Sequence, residues 1–400
     1  MDFKELFEKT KILGALLGKL DFTSIKRLME VDTLFDAGKI EKNFTNMKRF
    51  FFHREIPVDT SAPAPLPESP QNIPTSYKFQ GRDFTLKEWQ QERGVCAMVV
   101  LKSGEIAHEQ YLNGTGPLDR RISWSMSKSV LSATIGVLND QGRLPHFATR
   151  IGDIVPQLRK SAYANATLRN VLNMASGVKF NEDYLDYHSD INRMGRVLAV
   201  GGSMDQFAAD MVEQEYTPGQ YNHYVSIDTH VLGMVIRAVT GQRTDDLVRE
   251  LVFEPLGLEA VPYYLTDSFD EPFVLGGLNM TTRDYARFGL LFAQGGQING
   301  TQVVSTAWVQ EATSQSAPPP APEITNLPVG EMGYGYQWWL PSNAQSGEFY
   351  AIGIYGQYIY VNTQAEIVIA INSADRDFKE GDGIANLQNI EVFRQIAAGI

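Results

Sequence analysis

Along the 400 residues the apolar positions fall into runs of three kinds. Residues 94–101 (GVCAMVVL) form an apolar run of strand length, and after the polar 102–105 a second run covers 106–112. Two such runs around a tight polar turn predict a hairpin. Residues 127–138 are apolar nearly all round, which predicts a helix buried on every side. From 150 to about 258 the apolar spacing is mainly helical, with polar loops between. Within it, 226–240 reads as an apolar helix capped by Gly241, with Ser226 placed to cap its start. Strand character returns at 349–354, 358–362 and 366–372, and 393–400 reads as a closing helix. Strands from both ends around a helical middle predict an α+β fold, a sheet with a helical domain inserted.

Prolines punctuate this pattern. One cluster comprises Pro57, Pro63, Pro65, Pro67, Pro70 and Pro74, and a second comprises Pro318, Pro319, Pro320, Pro322 and Pro328. Such segments cannot donate to ladders and read as extended connectors. The expected organisation is an N-terminal helical arm (1–60), a sheet-bearing α/β domain (61–145 and 270–400) and a mainly helical domain (146–269), with the active site in the cleft between the two domains. In the arm, Phe3, Leu6, Phe7, Leu13, Leu16, Leu17 and Leu20 share one helical face, expected to pack on the main body rather than on a membrane. The mixed charges of Met1-Asp2-Phe3-Lys4-Glu5, and the short apolar stretch 12–18 closed by Lys19, do not read as a secretory signal. The expected location is cytoplasmic.

Composition narrows the function classes. Lys and Arg number 35 against 47 Asp and Glu, a net charge of −12, which argues against a general nucleic-acid binder. Cys96 is the one cysteine, so neither an intramolecular disulfide nor a cysteine-based zinc site is available. No apolar run approaches the roughly 20 residues that span a bilayer. The charge and hydropathy patterns leave no nucleic acid and no membrane as expected partner, and a homodimer is the assembly allowed for.

Chemistry concentrates at Ser125-Met126-Ser127-Lys128, an S-x-x-K at the start of the buried helix. Residues i and i+3 share a helix face, so the amine can reach the hydroxyl. Free N–H groups and the positive dipole end at a helix start favour an oxyanion there. Serine needs an adjacent base, and a lysine serves as one only when burial lowers its pKa. An N-capping serine is the bland alternative for Ser125. A lysine facing the interior of an apolar helix is harder to explain structurally. Pro218-Gly219 sets a turn ahead of Tyr224 and Ser226, at a loop–helix junction suited to presenting a phenol. A cation beside that phenol can lower its pKa enough to shuttle protons. His108-Glu109 lacks the second histidine of a zinc site, 351–356 falls one glycine short of a dinucleotide fingerprint, and no G-x-S-x-G elbow is present. His223 and His230 read as polar helix and loop residues. No metal and no cofactor are implied.

These residues resemble the serine β-lactamase/penicillin-binding-protein superfamily, in its class C-like branch of family VIII carboxylesterases, transesterases and 6-aminohexanoate-dimer hydrolases. Beyond S-x-x-K the resemblance rests on 167–177 (TLRNVLNMASG), 218–226 (PGQYNHYVS) and 279–289 (NMTTRDYARFG), and it spans roughly 80–400. In the arm, 42–47 (KNFTNM) is similar to the nylon-oligomer branch, as is 181–186 (NEDYLD). The resemblance implies an antiparallel sheet flanked by helices. It implies a serine hydrolase (an esterase or amidase) acting through an acyl-enzyme on Ser125, with Lys128 and Tyr224 as general base and acid. The backbone N–H groups of Ser125 and Ile354 would form the oxyanion hole. Tyr184, Ser226, Gly353 and Tyr355 would contact the substrate, Tyr184 at the scissile amide or its leaving group. The superfamily's K-T-G element corresponds to 351–357 (AIGIYGQ), without lysine or threonine. That departure removes the recognition of a β-lactam carboxylate and points to uncharged esters or amides. Acyl transfer on the same site, and a non-catalytic binding protein, are the competing readings. Trp338, Trp339, Tyr355 and Tyr358 suggest an aromatic-lined, fairly apolar pocket, with core packing as an equal explanation.

Overall fold

The computed structural model describes residues 22–322 and 332–400. The predicted helix face from Phe3 to Leu20, the stretch 12–18 and Pro328 lie outside the described residues. Seven strands form the main sheet: β1 (Val95–Lys102), β2 (Glu105–Tyr111), β3 (Gly333–Gly335), β4 (Trp338–Leu340), β5 (Glu348–Gly353), β6 (Gln357–Asn362) and β7 (Ile367–Ser373). They lie in the order β3-β4-β5-β6-β7-β1-β2, every pair antiparallel. The sheet therefore joins the two ends of the chain, as the α+β reading required. The helices that position the site are α1 (Phe22–Val31), α2 (Met126–Asp140), α3 (Asp190–Ala199), α4 (Ser226–Thr240), α5 (Thr282–Ala293) and α6 (Ile384–Gly399).

The apolar runs are continuous because both faces of the sheet are covered. On β6, Ile359 and Val361 enter one core with Val99, Val368 and Phe288 of α5. Tyr358 and Tyr360 enter the other, with Trp89 and with Ile390, Phe393 and Ile396 of α6. Gly289 lets α5 lie flat on this sheet, since a Cβ there would meet Val368 and Ile359 side chains at 2.5 and 2.7 Å. The proline-rich connector runs along the β2 edge: Ile106 donates to Pro67 O, and Gln71 donates to Ala107 O, at 2.7 and 2.8 Å. An edge covered in this way cannot pair with another chain.

Two elements differ from expectation. Helix α6 starts at Ile384, nine residues ahead of the predicted 393. Its first turns carry Asn386 and Asn389, whose side chains are buried against the Tyr350, Tyr358 and Trp89 polar atoms. Polar residues turned inward hide the apolar period. A second, four-stranded sheet joins Phe52–Glu55, Tyr263–Thr266, Leu278–Met280 and Arg121–Ile122. Strands of two to four residues are too short to show a period, and their pairing partners lie far apart in sequence. One of them belongs to the arm, so the arm is stitched into the body by backbone hydrogen bonds as well as by Leu34, Ile40, Phe44, Met47 and Phe50 in the core.

Candidate active site

The second sheet leads directly into the S-x-x-K. Ser123 donates its N–H to Leu278 O at 2.8 Å, Trp124 takes a left-handed φ of 43°, and α2 begins. A positive φ at a tryptophan is strained and persists only where the surroundings enforce it. Ser125 occupies the N-cap position, yet its side chain makes no capping hydrogen bond. The capping alternative is thus removed. The helix is buried because its own serines satisfy neighbouring segments: Ser127, Ser129 and Ser132 donate to Val274 O, Gln337 O and Tyr336 O at 2.6, 2.7 and 2.6 Å.

Lys128 is 2% exposed. Its Nζ lies 3.0 Å from Ser125 Oγ, 2.8 Å from Leu275 O and 3.4 Å from Ser226 Oγ. Burial lowers its pKa from 10.5 to about 7, against the opposing charges of Glu182 and Asp228. The amine is therefore available as a base near neutrality.

Tyr224 reaches the same point from the 218–225 loop, which hangs on Gly219 N–H to Ala175 O and His223 N–H to Met174 O, both 2.8 Å. Its ring stacks on Trp339 with centroids 5.4 Å apart, and Lys128 Nζ lies 5.3 Å from its centroid. Burial and the Glu182 charge push this phenol well above its ordinary pKa, opposite to the lowering expected from a neighbouring cation. The Ser125 and Ser226 side chains offset part of the rise in the pKa of its hydroxyl. Near neutrality it is therefore a neutral O–H. Ser226 is the first residue of α4, and Val225 takes the cap position. The Ser226 side chain does not cap the helix; it donates to Glu182.

Glu182 was quoted within 181–186 but given no role. Its carboxylate accepts from Ser226 N–H at 3.0 Å, from Ser226 Oγ and from the Tyr184 hydroxyl. The loop that holds it is a run of Asx turns: Asp183 and Leu185 N–H groups donate to Asn181 and Asp183 carbonyl or carboxylate oxygens. Asn192 of α3 clamps it by donating to Tyr184 O and Asp186 O at 3.0 and 2.7 Å.

At the end of β5, a Cβ on Gly353 would meet Ser123 O at 2.3 Å. Only glycine allows this strand to approach the Ser125 segment so closely. Ile354 and Tyr355 follow, the latter with φ 60°. Among the described residues, neither the Ser125 nor the Ile354 amide donates to a backbone carbonyl in the loops and turns. Both residues line the cavity that opens at the Ser125 hydroxyl.

A cavity of about 320 Å³ opens onto this point. Ser125, Ser226, Tyr184, Ile354 and Tyr355 line it; Gly353 and Tyr224 are not among its lining residues. The remaining wall is largely apolar and includes Val31, Leu34 and Phe35 of the arm, which sequence reasoning had left outside the site. Phe35 stacks on Tyr355 at 4.8 Å, and Phe44 packs edge-on to Trp124 and Tyr355. The 42–47 string therefore docks the arm against the Ser125 and Ile354 loops. Of the four aromatics expected in the pocket, Tyr355 is there and Trp339 backs Tyr224. Trp338 is buried among Phe288, Phe292 and Phe349, and Tyr358 is bonded to Asn386 in the opposite core.

The remaining quoted strings are structural. Thr167 and Asn170 form a capping box, Thr281 caps α5, and Ser176 and Tyr163 donate to buried Asp228 at 2.9 and 2.7 Å. His230 is bonded to Asp205 at 2.7 Å. No cluster of three or more metal-ligating side chains occurs among the described residues. No described helix is long and apolar enough to cross a membrane.

Known proteins match both the sequence and the fold. The family model described as Beta-lactamase matches residues 84–392. A 6-aminohexanoate-dimer hydrolase of Paenarthrobacter ureafaciens is 29% identical over 324 residues, covering 78% of this chain and 81% of that protein. A Bacillus anthracis structure assigned as a 6-aminohexanoate-dimer hydrolase superposes with a TM-score of 0.78 at 24% identity, over 91% of this chain and 95% of that one. A family VIII carboxylesterase structure superposes with a TM-score of 0.56 at 16% identity, over 77% and 94% of the two chains.

Proposed function

Because the chain belongs to the Beta-lactamase family of serine hydrolases, we propose that it cleaves carboxylic amide or ester bonds through an acyl-enzyme on Ser125. One observation carries this reading: a buried lysine, poised near neutrality, 3.0 Å from the hydroxyl of Ser125. Lys128 takes the Ser125 proton as Oγ attacks the carbonyl carbon, and the carbonyl electron pair moves onto oxygen. The N–H groups of Ser125 and Ile354 receive that oxyanion. Tyr224, neutral and beside Ser125, passes its proton to the departing amine or alcohol and is reprotonated by the Lys128 ammonium, which becomes neutral again. Water, deprotonated by the same groups, then releases the acid.

Linear amides are the favoured substrate class. The Paenarthrobacter relative is named for hydrolysing the dimer of 6-aminohexanoate, and here apolar arm residues form part of the cavity wall. The Tyr184 hydrogen is committed to Glu182, so its oxygen offers the cleft an acceptor suited to an amide N–H. The cleft takes Ser125 and Ile354 from the sheet-bearing part (61–145 and 270–400) and Tyr184 and Ser226 from the helical part (146–269). All of these groups come from one chain, so the reading needs no second copy. Buried, unpaired Cys96 fits a reducing, cytoplasmic setting.

The test sets a short-chain nitrophenyl ester, a linear 6-aminohexanoate amide and nitrocefin side by side, with Ser125→Ala as control. Turnover of the amide and the ester, slow or no turnover of nitrocefin, and loss of all turnover in the variant are expected. Undiminished turnover by a folded Ser125→Ala protein removes the mechanism.

A further inference from the structure

We propose that Glu182 is a positioning residue: acting through Ser226, it aims the lone pair of Lys128 at the Ser125 hydroxyl. The inference rests on the acyl-enzyme reading above and follows from counting hydrogens. A neutral amine has two hydrogens and one lone pair. Leu275 O, at 2.8 Å, can only accept, and it takes the first hydrogen. Ser226 Oγ, at 3.4 Å, could in principle donate or accept. Its hydrogen, however, goes to Glu182, and its N–H goes to the second oxygen of the same carboxylate. A carboxylate only accepts, so the direction is set: Lys128 donates to Ser226, and Ser226 donates to Glu182. Both amine hydrogens are then spent. The lone pair is left for the third neighbour, Ser125 Oγ at 3.0 Å.

In Glu182→Gln only one end of the side chain accepts; with that oxygen held by the Ser226 N–H, the amide nitrogen faces the Ser226 hydroxyl, which then turns and donates to the amine. That occupies the lone pair and leaves Ser125 without a base. The same carboxylate serves the next state. When Ser125 attacks, its O–H bond breaks, the proton joins Lys128 Nζ, and the new ammonium donates to Leu275 O, Ser226 Oγ and the departing serine oxygen. The charge of Glu182, one hydroxyl away, stabilises that ammonium. The other ionisable groups facing Lys128 are Asp228, tied to Tyr163 and Ser176, and the neutral phenol of Tyr224. Tyr184 shares the carboxylate but does not touch the amine.

The experiment compares the wild type with Glu182→Gln, Ser226→Ala, the double variant and Ser125→Ala. Each is assayed with p-nitrophenyl acetate between about pH 5 and pH 9, after circular dichroism and melting have verified folding. Glu182→Gln should lower the high-pH plateau of kcat/KM at least about tenfold. It should also move the acid limb to lower pH, because an anion that favoured the ammonium is gone. Ser226→Ala should lower the plateau with the limb in place. The double variant should fall no further than the worse single, since both act on one hydrogen-bond chain. A wild-type plateau and limb in folded Glu182→Gln, or losses that simply add in the double, overturn the inference. If Glu182→Gln does not fold, an undiminished plateau in Ser226→Ala overturns it instead. Ser125→Ala separates the two levels. Full activity there sinks the acyl-enzyme reading, whereas an inactive Ser125→Ala beside a wild-type-like Glu182→Gln sinks only the role of Glu182.

Discussion

Burial makes Lys128 costly to the fold and suits it to the proposed role of base. In the unfolded chain the amine titrates at its ordinary 10.5; in the folded protein it titrates at about 7. Between those values the unfolded state holds a proton that the folded state lacks, so this residue makes stability rise with pH from about 7 toward 10.5. Well below pH 7 both states are protonated and the full penalty is felt. Asp228 has the opposite sign: burial raises it from 3.8 to about 7, so its contribution to stability falls as pH rises across that window. Replacing Lys128 with methionine removes the first effect alone. The stability of the wild type relative to Lys128→Met should improve by up to about 1.4 kcal/mol per pH unit above pH 7, read from urea midpoints. A gap that does not change with pH would show that the amine is not desolvated. Activity follows the same group: kcat/KM should climb through about pH 7 as Lys128 becomes neutral. Ser125 and Lys128 were legible because a three-residue spacing is local information. Glu182 was not, because an acidic residue in a polar loop reads as a solvated face until the loop is folded onto α4.

At the level of elements, a capping box and a glycine contact make contrasting demands. Thr167 and Asn170 cap a short helix away from the cavity. Thr167→Ala should cost about 1 kcal/mol of stability and leave kcat/KM as it is. Gly353 is different, since its Cα faces Ser123 O and the strand end carries Ile354. Gly353→Ala must push β5 away from the Ser125 segment. Loss of one well-placed oxyanion donor costs roughly 10²- to 10³-fold in kcat, and a drop of that order is expected, larger than any change in KM. A normal kcat would mean that the Ile354 amide is not a donor to the reaction. Strands β1, β5, β6 and β7 and helices α2 and α4 were readable within about two residues, because long apolar runs reflect burial on both faces. Helix α6 was half missed for the converse reason: Asn386 and Asn389 are polar residues spent on buried tyrosines.

Across the whole molecule, the arm is part of the cleft. Phe35 stacks on Tyr355 and lines the cavity, while Phe52–Glu55 pairs with Tyr263–Thr266. Phe35→Ala should enlarge the cavity and lower stability by about 1–3 kcal/mol. It should also raise the preference for bulkier acyl groups in a series of nitrophenyl esters, with the rate on the acetate little altered. An unchanged order of preference would place the arm outside substrate recognition. What the sequence alone determined was whatever is short-range or repeated: the antiparallel α+β plan from its apolar runs, the Ser125–Lys128 pair from one helical turn, the phenol and Ser226 from a turn followed by an apolar helix. Tertiary structure decided the rest. It brought Glu182 under Ser226, laid Phe35 against Tyr355, removed Trp338 and Tyr358 from the pocket to the cores, and raised the Tyr224 pKa where a cation alone would lower it. Each of these depends on which distant segment is the neighbour and how much water it displaces, and neither quantity is carried by the spacing of residues along the chain.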